Sequence, residues 1–524
     1  THSMSIIGKN ISDDNVAFLP SAYNLKSIII RNYKGVPWEI KNIAVKMSIT
    51  ESIYSQSLVL NLTLKDSLNF VEEFPLIGQE KIQVKIEYSR KGGNLKKKTY
   101  PKSLDLSFYI TEYPIFGSAP MQAYTQVIRL VGISEQSYIS NQKKIVKSYD
   151  NNTAEEIEQI LKTELNLDVD KKFKSDNKKK TSGRGTVLED NTIVVHTSEE
   201  GPYAAVSSSK GIINRQRPMD AIEWLRKQTF DDKQSPFYFF QTLDGKYNLF
   251  SLAHMIDRVY GRDEKKVFNT YYDRREGMTK MEGVISNQDY LHREQTILSV
   301  SSDLKLNKSI QSRRGAFASR NNFLDYSNKT YTPDDYSYSK NFLTKKPTLE
   351  KHGILSDLFE IGDENLTDFQ ESHCEYISLN HKAFGVVDPV TKLEKNTWYN
   401  EDKENTPSGF NYNNMSQGSR QFINAYQALL NTMTHDIRLN GNFKLNAGKK
   451  IELVFPKAID PYAYTDKLGV DEDHVNKLLS GNYLITSVVH EFEDDEYYVD
   501  VRVKRDSFPV SLDQMPKEDT TSIQ

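Results

Sequence analysis

The run Ile43-Ala44-Val45-Lys46-Met47-Ser48-Ile49-Thr50 places large apolar side chains at its odd positions and small or polar ones between them. Successive side chains of an extended chain point to opposite faces, so the run predicts a strand with one buried and one polar face. Four further runs repeat this period of two: Leu58 to Leu64, Ile82 to Tyr88, Leu104 to Ile110 and Tyr124 to Ile133. Five amphipathic strands with short links predict a first antiparallel β-barrel or sandwich.

The link between the second and third predicted strands, Asp66 to Gly78, carries apolar residues that a plain turn does not need. Pro75 and Gly78 would end a helix at its C-terminal side. We therefore predict a short helical turn over one end of the first barrel.

The pattern changes to a helical period after the first barrel. Thr153 to Glu156 has the form of a capping box, and four apolar residues then share one helical face: Ile157, Ile160, Leu161 and Leu165. A second helix is predicted to begin at Pro218, because proline is favoured in the first turn.

Two aromatic-rich runs, Phe237 to Gln241 and Tyr247 to Phe250, flank Asp244-Gly245. An Asp-Gly pair between two strand patterns predicts a β-hairpin. Helices and a hairpin between two β regions predict an α+β middle domain.

Two long segments are rich in polar residues. Residues 168–216 hold many Lys, Ser and Gly and predict an exposed insertion. Within it, Lys171 to Arg184 is a candidate for phosphate contact, although a solvated loop is the favoured interpretation. Residues 293–418 predict irregular arms that can contribute strands, such as Ile297 to Val300, to a second barrel.

A second β-rich module ends the chain. A helix is predicted from Gln417 through Met433. After it, alternate positions predict a strand with one face toward the core: Ile437, Leu439, Gly441, Phe443 and Leu445. A turn at Asn446-Ala447-Gly448 precedes three further predicted strands: Ile451 to Phe455, Gly481 to His490 and Tyr497 to Val503.

The predicted fold class is therefore α+β, mainly β, with two similar antiparallel β-barrels flanking an α+β middle domain with long polar insertions. The predicted boundaries are 1–24 for an N-terminal arm, 25–133 for the first barrel, 134–292 for the α+β domain, 293–418 for the arms, 419–510 for a helix and the second barrel, and 511–524 for a C-terminal tail.

Length and composition indicate a globular, multi-domain chain. At roughly 150 residues per domain, the 524 residues correspond to three or four domains. The formal net charge of -3 gives no field that would attract a polyanion. A single cysteine excludes an intrachain disulfide, and no apolar run reaches the ~20 residues of a membrane span. Thr1-His2-Ser3 before Met4 is interpreted as a vector remnant.

The search for chemistry finds no catalytic, cofactor-binding or metal-ligating residues. No HExxH spacing occurs, and Gly183-Arg184-Gly185 lacks the rest of a phosphate-binding loop. His373-Cys374 is interpreted as an ordinary pair, because neighbours on a strand point to opposite faces. Asp494-Asp495-Glu496 is interpreted as a solvated turn, and Phe237 to Phe240 as core rather than a sugar-stacking surface. We therefore predict that the chain is not an enzyme.

Four stretches together resemble the central hub protein of T-even-type phage baseplates, a family whose fold is shared by the hub module of type VI secretion spike proteins. The stretches are Leu64 to Phe70 with Phe74 to Ile82, Arg217 to Leu225 with Phe237 to Tyr247, Leu439 to Gly448 with Ile451 to Pro456, and Ser480 to Thr486 with His490. Their order and spacing cover most of the chain except the polar insertions.

The resemblance implies a homotrimer whose two barrels per chain form a pseudo-six-fold ring. Such a ring adapts a six-fold tail tube to a three-fold central spike and leaves a channel for DNA passage. The implied partners are the spike protein, tail tube or tube-initiator proteins and baseplate wedge proteins, and the implied location is the virion tail baseplate after synthesis in the host cytoplasm. Ring contacts are expected in Asp66 to Gly78 and in Gly441 to Pro456. The alternatives are a receptor-binding or adhesin-type tail protein and a tail-associated cell-wall hydrolase.

Overall fold

The computed structural model describes residues 23–66, 70–78, 80–88, 102–116, 126–170, 192–195, 203–205, 208–257, 267–269, 296–304, 307–325, 330–343, 345–355, 360–361, 364–370, 373–380, 414–455, 476–493 and 496–512. Within these residues the chain is mainly β, and its largest unit is a predominantly antiparallel sheet of 14 strands.

The N-terminal part of the chain supplies eight strands and one short helix. They are β1 (Asn24–Arg31), β2 (Pro37–Glu39), β3 (Ala44–Ser52), β4 (Val59–Asp66), α1 (Phe70–Glu73), β5 (Lys81–Tyr88), β6 (Lys102–Glu112), β7 (Ile115–Phe116) and β8 (Gln126–Ser134). We call these elements the first module. The helical turn predicted between Asp66 and Gly78 is confirmed by α1.

The middle of the chain alternates helices and strands. Its elements are α2 (Glu135–Asn141), β9 (Ile145–Asn152), α3 (Thr153–Leu165), β10 (Asp168–Asp170), β11 (Thr192–Val195), β12 (Ser208–Gln216), α4 (Pro218–Arg226), β13 (Phe237–Gln241), β14 (Tyr247–Ser251), α5 (Leu252–Asp257) and β15 (Val267–Asn269). The predicted hairpin is confirmed, since β13 and β14 pair antiparallel around Gly245, whose φ is +80°. Pro218 is the first residue of α4, as predicted.

The remaining elements are β16 (Ile297–Leu304), α6 (Lys308–Arg313), β17 (Ala318–Asp325), β18 (Thr330–Ser337), β19 (Glu360–Ile361), β20 (Glu364–Asn365), β21 (Cys374–Asn380), α7 (Asn414–Leu430), β22 (Met433–Asn440), β23 (Lys450–Val454), β24 (Gly481–Glu493) and β25 (Glu496–Arg505). We call β16 and β22 to β25 the last module. Met433 begins β22, so the prediction that the helix reaches this residue is wrong.

One sheet joins the two modules. Its strand order is β16-β22-β25-β24-β3-β4-β8-β6-β5-β1-β2, and β3 pairs antiparallel with β24 at the point where the modules meet. Among the described residues the sheet does not close on itself and ends at β16 and β2. The described residues therefore show two antiparallel modules that continue into one another, and the prediction of two barrels stays a prediction.

A β-bulge changes the predicted parity of β3. The register shifts between Ala44 and Lys46, so Ala44 is buried together with Met47 and Ile49. The strict alternation predicted from Ile43 is therefore wrong at its start, because a bulge inserts one extra residue and reverses the face of those before it. The alternation predicted for Leu58 to Leu64 is confirmed by the burial of all four leucines.

The pairing of β3 with β24 aligns the buried faces of the two modules. Ile49 lies opposite His490, and Met47 lies opposite Phe492. One hydrophobic cluster consequently extends from Leu25 in the first module to Val503 in the last. The modules share a core instead of folding around two separate ones.

The middle of the chain packs around the β13–β14 hairpin. Phe237 and Phe239 lie in a cluster with α3 and α4, whereas Tyr238 and Phe240 lie in a second cluster with α5, α7 and the arm residues near Phe342. The N-cap of α3 is Asn152, whose side chain accepts a hydrogen bond from the Ala154 N–H. The prediction that Thr153 caps this helix is therefore wrong by one residue. The Thr153 hydroxyl instead accepts a hydrogen bond from the Thr229 hydroxyl.

Candidate assembly site

Glu51 lies at the junction of the two modules and is fully buried. Its Oε2 accepts a hydrogen bond from the backbone N–H of Leu243, 2.6 Å away in the β13–β14 turn. Its Oε1 accepts one from the N–H of Ala447, 2.7 Å away in the turn before β23. Because hydrogen bonds to a charged group contribute about 1.5 to 3 kcal/mol each, this carboxylate holds three parts of the chain together.

Ion pairs cross the junction on the polar face of the sheet. Lys46 of β3 contacts Glu491 and, at 2.7 Å, Glu493 of β24. Hydrogen bonds to these carboxylates raise the pKa of Lys46. Arg438 of β22 binds Asp500 of β25 with two bonds of 2.7 and 2.8 Å and also contacts Glu491. We call these five residues the ion-pair ladder, which links four neighbouring strands.

An arm of the chain, residues 345–355, docks against the last module. The Glu350 carboxylate accepts hydrogen bonds from the N–H (2.5 Å) and the side-chain amide (2.9 Å) of Asn482. The N–H of Leu349 donates to Asp506, and His352 exchanges two backbone hydrogen bonds with Phe508. Burial raises the pKa of the Asp506 carboxyl. These contacts fix the arm to the end of β25.

Arg505 is fully buried at the same end of the module. Its guanidinium donates to the carbonyl oxygens of Leu478 and, at 2.9 Å, Ser480, and it lies 4.5 Å from the ring centre of Tyr483. Burial lowers the pKa of this guanidinium. A buried cation bound to carbonyl oxygens holds the turn that precedes β24 in one conformation.

His435 attaches the edge strand β16 to the module. Its Nδ1 lies 2.8 Å from the Ser302 hydroxyl and its Nε2 lies 3.1 Å from the Tyr483 hydroxyl, which donates to the carbonyl of Leu479. Nε2 therefore carries the proton and Nδ1 accepts from Ser302. Burial, with the nearby charge of Arg505, lowers the pKa of His435 to about 4, so the imidazole is neutral at neutral pH.

The segment Phe70–Gly78, which we call the cap segment, presents an apolar side chain at the surface. Phe70 and Phe74 pack against Trp38 with ring centres 5.3 and 5.5 Å away. The buried carboxylate of Glu80 accepts hydrogen bonds from the N–H groups of Ile77 (2.6 Å) and Gly78 (2.9 Å). Ile77 itself is 53% exposed. A rigid loop thus displays an uncovered isoleucine.

The second segment expected to make ring contacts lies largely inside the chain. A Cβ on Gly441 would come within 2.0 Å of the Tyr497 ring, and one on Gly448 within 2.8 Å of Phe240. Leu445, Ala447 and Ile451 are buried. Most of residues 441–455 therefore contact their own chain, whereas the cap segment keeps an exposed apolar position.

Each end of the large sheet leaves a strand with one unpaired edge among the described residues. β16 pairs with β22 alone, and β2 pairs with β1 alone. Val300 lies opposite the buried Ile437 and is nevertheless 42% exposed, so the core face of the sheet is uncovered at this edge. Exposed edge strands pair readily with another chain.

The residues considered for chemistry form no catalytic arrangement in the described part of the chain. His373 is buried, and its Nδ1 accepts a hydrogen bond from the Gln370 N–H rather than contacting the Cys374 thiol. The aromatic run Phe237 to Phe240 is buried on both faces, as predicted, which removes it as a sugar-stacking surface. The Lys171 to Arg184 stretch, Gly183 to Gly185 and residues 494–495 lie outside the described residues.

The described residues contain neither a cluster suited to a metal ion nor a helix suited to a membrane. No group of three or more His, Cys, Asp or Glu side chains is arranged to hold a metal ion. No helix in this part of the chain has both the length and the apolar character needed to cross a membrane.

No protein-family model and no curated protein matches the chain. Solved structures do match. A 43 kDa tail protein of prophage MuSo2 from Shewanella oneidensis is 12% identical with a TM-score of 0.45, over 91% of this chain and 98% of that one. A tail protein from Neisseria meningitidis MC58 is 8% identical with a TM-score of 0.44, over 94% and 99%. The E. coli c3393 protein, a component of the type VI secretion system, is 7% identical with a TM-score of 0.35, over 93% and 78%.

The TM-scores of these matches lie below 0.5, so the matches assign neither a family nor a function to the chain by themselves.

Proposed function

We propose that the chain is a structural subunit of a tail baseplate hub, in which copies join into a ring. The feature that carries this proposal is the continuous sheet, in which two antiparallel modules of one chain pair edge to edge through β3 and β24. A subunit of a closed ring needs a contact that can be repeated from module to module.

The polar groups at the junction hold the two modules in a fixed relative position. Glu51 and the ion-pair ladder fix the relative position of strands that lie far apart in the sequence. Breaking the contacts of the buried Glu51 costs several kcal/mol, whereas each partly exposed pair of the ladder contributes about 1 kcal/mol or less. The module junction therefore resists shear between its strands, which is what transmission of force through a baseplate requires.

More specifically, we propose a homotrimer in which each chain contributes two barrel-like modules to a pseudo-six-fold ring. Three module contacts then lie within chains and three lie between chains. The β3–β24 junction is the intrachain case, so we expect the interchain contact to combine strand pairing with cross-strand ion pairs in the same way. The ring adapts a six-fold tail tube to a three-fold spike and leaves a channel for DNA.

The partners of this ring are the central spike protein, tail tube or tube-initiator proteins and wedge proteins, and its place is the tail baseplate of the virion. In this arrangement the chain acts by assembly and not by bond-making chemistry.

The cap segment supplies the sharpest test of ring formation. Ile77 is 53% exposed on a loop held by Glu80, so Ile77→Asp changes the surface without disturbing the core. The matched control is Ile310→Asp, on α6, where the isoleucine is 48% exposed. Native mass measurement of the full chain, with and without a co-expressed spike protein, reports the assembly state.

We expect a species of about three times the 60.3 kDa chain mass for the unaltered protein and for Ile310→Asp, and the single-chain mass for Ile77→Asp. Burying an aspartate in place of isoleucine forfeits about 1.5 to 3 kcal/mol of apolar burial per contact and adds a desolvation cost. A monomer that never associates, even with the spike protein present, would sink the proposal. Trimers formed by both variants would remove the cap segment from the interface.

A further inference from the structure

A cleft of about 390 Å³ opens between α7, β21 and the turn after α6. Residues of α7 and its C-terminal end form one wall, and residues of β21 and the turn form the other. The lining residues are Arg314, Cys374, Tyr376, Asn424, Gln427, Ala428 and Asn431. All but one of them are polar, and the cleft is separate from the module junction and the cap segment.

The shape of the cleft is fixed by close packing at its base. Gly315 has a φ of +73°, and a Cβ at this position would lie 3.2 Å from the Tyr376 hydroxyl and 3.3 Å from Cβ of Cys374. The Asn424 side chain donates a 2.7 Å hydrogen bond to the Tyr376 hydroxyl, which ties α7 to β21. The turn can therefore approach β21 only because residue 315 is glycine.

The charge of the cleft is positive. Arg314 is its one charged lining residue, and the Arg420 guanidinium lies 5.0 Å from the ring centre of Tyr376 beside it. Within the described residues no carboxylate lies at ion-pair distance from Arg314. An exposed guanidinium next to amide and hydroxyl groups matches the geometry of a carboxylate, which accepts bidentate hydrogen bonds.

An unpaired strand edge lies next to the cleft. β21 is the outer strand of the three-stranded sheet β18-β17-β21, and among the described residues it pairs with β17 alone. Cys374 and Tyr376 face the cleft, whereas Ile377 points to the other face and is 63% exposed. An extended polypeptide can add to such an edge by main-chain hydrogen bonds while its side chains enter the neighbouring pocket.

We propose that this cleft binds a carboxylate side chain carried by an extended segment of another polypeptide. The carboxylate binds Arg314, the amide groups of α7 contact the segment, and the segment's main chain pairs with β21. The site goes beyond the hub proposal, because it rests on the cleft alone and would exist in a monomer.

The single cysteine of the chain provides a direct readout, since Cys374 lines the cleft. The rate of its alkylation by iodoacetamide can be followed by the intact mass of the full-length protein. The probes are acetyl-Val-Glu-Val-amide, its glutamine counterpart acetyl-Val-Gln-Val-amide, and free glutarate. The variants are Arg314→Gln and, as the matched control, Arg313→Gln, whose arginine is also exposed but does not line the cleft.

We expect the glutamate peptide at about ten times a millimolar Kd to slow alkylation about tenfold, because the occupied fraction then exceeds nine-tenths. The glutamine peptide should have no effect. Protection should disappear in Arg314→Gln and persist in Arg313→Gln, with unchanged circular dichroism in both. Equal protection by the two peptides, or protection that survives Arg314→Gln, would overturn the proposal. Protection by glutarate but not by the glutamate peptide would overturn the assignment to a polypeptide.

Discussion

Glu51 of the first module binds both the middle hairpin and the last module. Glu51→Ala leaves the N–H groups of Leu243 and Ala447 buried without their acceptor. We expect a loss of about 3 kcal/mol or more, since each charge-assisted bond contributes about 1.5 to 3 kcal/mol. Hydrogen exchange at these two amides should accelerate, and the urea midpoint should fall.

Glu87→Ala is the matched control for this prediction. Glu87 is 33% exposed and pairs with Lys26 at 3.0 Å. A surface ion pair contributes about 0 to 1 kcal/mol, so this change should leave the urea midpoint nearly unaltered. Equal effects of the two substitutions would show that Glu51 does not hold the junction.

Glu51 and Arg505 also mark what residue-level patterns cannot predict. Glu51 shares the parity of Met47 and Ile49, so the alternation places its carboxylate on the buried face without showing what would bind it there. Its partners are 192 and 396 positions away. Arg505 likewise shares the parity of the buried Val501 and Val503, and it points inward with them. The parity of both residues predicts that they point inward, but their hydrogen-bond partners come from other segments, and local sequence carries no signal of those partners.

The sequence predicts the strands whose apolar residues alternate regularly. It does not predict the strands that contain a bulge or a run of consecutive apolar residues. Leu58 to Leu64 and Leu104 to Ile110 alternate without interruption, and their buried residues are the predicted ones. The period of two does not predict β1, because Ile28, Ile29 and Ile30 are consecutive and a bulge lies between Leu25 and Ser27. A bulge or a three-residue apolar run breaks the period on which such a prediction depends.

The ion-pair ladder sets the register of β3 against β24. Lys46→Glu places a third carboxylate beside Glu491 and Glu493. Like charges on neighbouring strands are destabilising, and for partly exposed positions we expect a loss of about 1 kcal/mol. Hydrogen exchange of the β3 amides measures this loss. The double variant Lys46→Glu, Glu493→Lys restores an opposite-charge pair and should recover most of it.

Lys26→Glu is the control for the ladder, because it creates the same repulsion against Glu87 at the far end of the first module. It should leave exchange in β3 unchanged. Loss of protection in β3 for this variant, or no recovery in the double variant, would mean that the ladder does not fix the register.

At the scale of the whole molecule, the sequence patterns predict two β-rich modules at the two ends of the chain. They do not predict that the modules pair through β3 and β24, more than 430 positions apart. Amphipathic strands indicate which face is buried but not which edges meet. The shared hydrophobic cluster follows from that pairing, and it could not be predicted before the pairing was known.

The charge distribution of the whole molecule makes a prediction about DNA. The formal net charge is -3, and many basic side chains of the large sheet are paired with carboxylates, such as Lys46 with Glu493 and Arg502 with Asp436. Counterion release requires unpaired cations along the surface. In the proposed ring, a channel wall with such paired charges would let DNA pass without holding it.

We therefore expect duplex DNA to bind no more tightly than about 10⁻⁴ M at 0.15 M salt, measured by fluorescence anisotropy. At lower salt, we expect any binding to come from the lysine-rich stretch Lys171 to Arg184. Replacing its six lysines by glutamine should abolish that binding and flatten its salt dependence, whose slope is about -0.9 per phosphate neutralised. Micromolar binding at 0.15 M salt that survives the replacement would be inconsistent with a passive channel, because the paired charges of the sheet could not supply it.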